Sequence, residues 1–116
     1  MEKEISELYS LFKKYKLAPD FASRCSPYGE RREVAKYLEH KSLHHIEMEV
    51  VDYYCLKVIY TMGDEQDLKY FLPRLIESMV IDHSLVNSWS LFKKLKMSGF
   101  EQWETVEQKL IYKICE

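Results

Sequence analysis

Three glycines and three prolines in 116 residues leave this chain few places to turn sharply. A β-sandwich or barrel needs a turn signal roughly every ten residues, and such signals are missing. The same scarcity excludes a glycine-rich phosphate loop of the P-loop or dinucleotide kind. Apolar residues make up 47% and aromatics 14%, enough to bury one core, while the length is too short for two ordinary domains. An all-α fold is the expectation: one compact domain over 1–116.

Helical spacing recurs along the chain. Ile5, Leu8, Phe12 and Tyr15 fall at steps of three and four, predicting an amphipathic helix over 4–16. Residues 17–29 hold Pro19, Pro27 and Gly29 and read as one long loop. Val34, Tyr37 and Leu38 place a short helix at 30–39. Val50, Tyr54 and Val58, with Val51, Cys55 and Ile59 beside them, predict a broadly apolar helix over 47–62. Gly63 suits the end of that helix and Asp64 the N-cap of the next, with Asp67 at N3.

The 65–80 helix carries Leu68, Phe71, Leu72, Leu75 and Ile76, and Pro73 inside it predicts a kink or a restart. Helices over 84–96 and 102–115 follow, divided near Ser98-Gly99. The sum is an irregular array of five to six helices, with 47–62 and 65–80 at its centre. Its successive helix pairs invite comparison with a minimal helical-repeat array.

Charge and chemistry narrow the function. The net charge is −2 and the basic residues are dispersed, so a nucleic-acid partner is not expected. Apolar stretches fall short of the roughly 20 residues of a membrane span, so no membrane partner is expected either. Lys13-Lys14-Tyr15-Lys16 and Lys93-Lys94-Leu95-Lys96 read as solvated helix faces. Three cysteines without a CxxC pair fit reduced thiols, and the first residues lack an apolar leader, giving an expected cytoplasmic location. His40 and His44 are four apart but straddle a helix break, and no third ligand stands at a metal spacing. No nucleophile–base motif flanks Cys25 or Cys55. No catalytic residue, metal site or cofactor is therefore assigned, and an enzyme is not expected.

Two acidic, aromatic segments stand out as candidate partner-binding groups. Asp64, Glu65, Asp67 and Tyr70 open the 65–80 helix, and Glu101, Trp103, Glu104 and Glu107 edge the last one. Carboxylates beside rigid aromatic rings suit a basic protein surface. For each segment the plainer reading is a capped or solvated helix face.

The run Gly63-Asp64-Glu65-Gln66-Asp67-Leu68-Lys69-Tyr70-Phe71-Leu72-Pro73-Arg74-Leu75-Ile76-Glu77 resembles a family of small, uncharacterised bacterial all-helical proteins. Its signature is Gly-Asp-x-x-Asp-x-x-x-Phe-Leu-Pro-Arg. Downstream, Lys94-Leu95, Gly99-Phe100, Trp103 and Glu107 are similar to the family's closing segment. Cys25-Ser26-Pro27 stands where the family has several cysteines, and Phe100 replaces a tryptophan. The resemblance implies an all-helical fold and transfers no activity.

Small size, mild acidity and aromatic edges without a catalytic motif suggest a protein-binding module. The expected role is that of an immunity protein or antitoxin-like inhibitor, occluding a bacterial toxin domain with a basic surface. A self-associating structural or adaptor domain is the alternative. A small metal-dependent protein using Cys25 and the histidines ranks third.

Overall fold

Apolar residues at helical spacing fold here as expected, into helices. The computed structural model describes residues 2–17, 19–25, 30–57, 65–81 and 88–115. Among them are seven α-helices and no strand: α1 (Glu2–Phe12), α2 (Phe21–Arg24), α3 (Glu30–His40), α4 (Met48–Lys57), α5 (Glu65–Val80), α6 (Ser88–Met97) and α7 (Thr105–Cys115). Short 3-10 turns at Leu43–His45 and Phe100–Gln102 join α3 to α4 and α6 to α7. The chain forms one globule with a radius of gyration of 13.3 Å.

The helices are built as the periodicity predicts, with three differences. α1 ends at Phe12 rather than near 16, because a turn in which Tyr15 N–H donates to the Phe12 carbonyl redirects the chain. That turn delivers Lys14 and Tyr15 to the last helix. The 17–29 loop contains one helical turn, α2, whose Phe21 is fully buried. Pro73 does not restart α5. The helix runs unbroken from Glu65 to Val80, held by Leu72 and Ile76, both fully buried, on either side of the missing N–H. The Gly63-Asp64 boundary and the 58–62 end of the expected 47–62 helix lie outside the described residues.

α5 is the centre, but its principal neighbours are α1 and α4 together, with α1 also packed on α7. α5 is apolar over most of its circumference, as a helix surrounded by others must be. Leu68, Phe71, Leu72, Leu75 and Ile76 are all buried. Two aromatic groups divide the core. Phe21, Tyr54 and Phe71 meet where α2, α4 and α5 cross, with Tyr54 and Phe71 ring centroids 4.5 Å apart. Phe12, Trp103, Phe100 and Phe92 run from α1 across the 100–103 turn to α6, with Phe100 edge-on to Trp103 at 5.2 Å. Tilted and edge-to-face contacts of this kind add to the burial of the rings themselves.

Gly99 closes α6 in the left-handed region, with φ at +78°. A side chain there would strain the backbone, and glycine removes that cost.

Phe71 touches both other rings of its group and is buried. Its replacement by Ala should lower stability by about 3–5 kcal/mol, read by urea unfolding. A loss below about 1 kcal/mol would show that this ring is not part of the core.

Candidate functional site

The two acidic segments, more than thirty residues apart in the chain, converge at one end of α5. Trp103 Nε1 donates to Glu65 Oε1 at 3.1 Å, joining the first turn of α5 to the turn before α7. The same N–H also points at the Ser98 carbonyl, 3.4 Å away. Glu104 and Glu107 follow directly, and both are met by the turn that ends α1. Lys14 pairs with Glu104 and lies 3.6 Å from Glu107 Oε2, while the Tyr15 hydroxyl donates to Glu107.

Beneath these carboxylates lies Lys69, a buried cation with only 8% exposure. Its Nζ stands 4.7 Å over the Trp103 ring and 5.0 Å over the Tyr15 ring, and 3.8 Å from Glu65 Oε1. The electron-rich ring faces replace part of the hydration that burial removes. Burial first, then the Glu107 hydrogen bond and the charges of Glu107, Glu104 and Glu65, push the Tyr15 phenol far above its ordinary range. The hydrogen bond from Lys14 holds Glu104 below the usual carboxylate range.

The candidate residues therefore separate by position. Glu65, Glu101 and Glu104 are exposed. Trp103, 5% exposed, is the floor between them, and Glu107 is completely buried. Glu107 belongs to the interior, with its Oε1 finding no partner among the described residues. Asp67 stands in the first turn of α5 as expected, but inside at 2% exposure, which corrects its reading as a partner-facing surface acid. The Arg24 guanidinium grips it with two nitrogens, at 3.1 Å and 3.0 Å, and so ties α2 to α5. Asp64 lies outside the described residues.

Tyr70 is half-buried, edge-on to Phe71, and lines a different feature. That feature is an open cleft of about 350 Å³ bordered by Tyr9, Lys13, Lys16, His44 and Tyr70. His44 stacks on Tyr9 at 4.0 Å, and the Tyr9 hydroxyl donates to Glu77 at 2.8 Å. Arg74 donates to Glu77 and to the Ile46 carbonyl.

Sequence reading missed Tyr15, Lys14 and Lys69 as parts of the acidic site. Lys14 and Tyr15 read as a solvated face, because nothing local shows that a turn aims them at α7. Lys69 carries a faint signal: it is a cation between Leu68 and the Tyr70-Phe71 pair on the most buried helix.

Among the described residues no group of three or more metal-ligating side chains comes together. The Cys25 thiol is pushed up to about 11, first by burial and then by the Asp67 charge, and Cys115 to about 11 by burial. Both are weak nucleophiles near neutral pH. No described helix is long and apolar enough to cross a membrane. No protein-family model, curated protein or solved structure matches the chain.

Tyr15→Phe removes the hydroxyl that donates to a carboxylate with no access to water. A loss of about 1–3 kcal/mol at pH 7 is expected, read by urea unfolding. The sign with pH follows from the raised phenol. Stability from Tyr15 is complete below the ordinary tyrosine range and is lost as pH rises above about 10. The gap between wild type and Tyr15→Phe should therefore narrow in alkali. A gap that stays constant from neutral pH into strong alkali would contradict the arrangement.

Proposed function

We propose that this chain is a protein-binding module, an immunity-type inhibitor that neutralises a bacterial toxin domain by covering its basic surface. The observation that carries the reading is the contact of Glu65 with Trp103, next to Glu104, where two acidic segments become one rim. Glu101 is exposed on the same segment as Trp103 and Glu104. Glu65 and Glu104 are exposed on their outer sides, so a partner can reach them. Lys14, the rim counter-ion of Glu104, is itself half-exposed. An exposed pair of this kind is held weakly, and an arriving Arg or Lys exchanges with Lys14 at little cost. Lys69 and Glu107 are buried and stay in place, so the rim keeps its shape while its outer charges change partners.

A preformed rim suits inhibition by occlusion. Carboxylates raise the encounter rate with a cationic cleft, and a rigid floor limits the entropy lost on docking. The toxin role draws on small size, mild acidity and aromatic edges, and only the bacterial setting draws on the family resemblance.

The test is co-expression with the toxin domain encoded beside this gene. Protection of the host and co-purification of the pair are expected. Glu101→Lys with Glu104→Lys should weaken the complex by at least about tenfold, read by calorimetry, with the helical circular dichroism unchanged. Neither protection nor co-purification with the wild-type chain would overturn the reading.

A further inference from the structure

The outer face of α6 has the opposite character to the acidic rim. Trp89, Lys93 and Lys96 stand at i, i+4 and i+7, and Met97 adjoins them, so all four share one side of the helix. Trp89 is 72% exposed and Met97 45%, the former the most exposed large apolar side chain among the described residues. The Lys93 ammonium lies 5.5 Å over the Trp89 ring. Phe92 carries the face onto α7 by stacking on Tyr112, with centroids 5.4 Å apart and planes 15° from parallel. Tyr112 is 45% exposed, and Lys109 stands one turn earlier on the same helix.

The charge on these two helices has a single sign. α6 contains no acidic residue, and the one acid of α7, Glu107, is completely buried. Lys113, by contrast, is near enough to α1 for its charge to act on Glu4.

We propose that this face, formed by Trp89, Lys93, Lys96 and Met97 with Tyr112 and Lys109 beside them, docks on an anionic lipid surface. It is an inference independent of the toxin-binding reading, and it concerns a different side chain set. The composition selects the occupant. Every cation on α6 and α7 is Lys, and none is Arg. Protein interfaces enrich Arg and deplete Lys, whereas a membrane surface attracts any flexible point charge. Long lysine stems let the ammonium groups reach headgroups while Trp and Met enter the layer below. Trp and Tyr rings, apolar with one polar edge, favour that same depth. No spanning segment is needed, since the contact is peripheral.

The probe is a set of phosphatidylcholine vesicles with and without about one third phosphatidylglycerol, at low salt. Of the two tryptophans, Trp103 is buried, so emission changes and acrylamide quenching report on Trp89. The expected result is co-sedimentation with the anionic vesicles alone, a blue shift, and reduced quenching of Trp89, all reversed by added salt. Lys93→Glu with Lys96→Glu should lower the partition by at least about tenfold. Trp89→Ala should lower it too, while Lys13→Glu with Lys16→Glu should not. Circular dichroism checks that each variant stays helical, and wild-type quenching needs no variant at all. No sedimentation with anionic vesicles, equal sedimentation with both kinds, or binding indifferent to these changes would overturn the proposal. So would capture by soluble polyglutamate, or a concentration-dependent dimer that shields Trp89, in the absence of vesicle binding.

Discussion

The Lys69 ammonium, buried between the faces of Tyr15 and Trp103, is the interaction on which the site depends. A cation so enclosed is costly unless its surroundings supply negative potential. The two ring faces supply some of it, and Glu65 supplies more from the edge. These groups come from three places in the chain: the turn after α1, the first two turns of α5, and the turn before α7. Satisfying one charge thus brings three elements into register. It also places Glu104 and Glu107 where Lys14 and the Tyr15 hydroxyl can meet them.

The same logic repeats along α5. Four charged residues on this mostly apolar helix each pin a different neighbour. Asp67 takes Arg24 from α2, Lys69 takes the two rings, Arg74 takes the Ile46 carbonyl ahead of α4, and Glu77 takes the Tyr9 hydroxyl from α1. Apolar burial supplies the bulk of the driving force, being non-directional. The polar contacts specify which face of α5 meets which element, since a mismatched buried charge is heavily penalised. An acidic rim at one end of α5 is a product of that specification. Its outer carboxylates remain exposed because only their inner sides have been claimed.

Much of the fold was legible in the sequence, because helices are written in local spacing and glycine at position 99 marks a stop. Pro73 left open a kink or a restart, and with Leu72 and Ile76 completely buried beside it the helix does not restart. Asp67 was legible only in part. A carboxylate in the first turn of a helix is a good local partner for free N–H groups, and only the path of the 19–25 segment reveals Arg24. The convergence of Glu65 with Trp103 was likewise invisible, being a contact between residues 38 positions apart. Both segments had been singled out separately on their composition. Trp89 shares helical spacing with Phe92 and Leu95, yet it is 72% exposed while Leu95 is fully buried. Periodicity places a residue on a stripe, but not on the half of the stripe that a neighbour covers.

These observations tie function to one buried charge: if Lys69 organises the rim, its charge and not merely its bulk must matter. The direct measurement is the unfolding free energy of Lys69→Met, which keeps most of the stem, followed from neutral pH into acid. The account predicts a loss of at least about 1–2 kcal/mol at pH 7. It further predicts that the deficit shrinks once acid protonates the surrounding carboxylates. A Lys69→Met protein as stable as the wild type at neutral pH, or one whose deficit ignores acid, would contradict it.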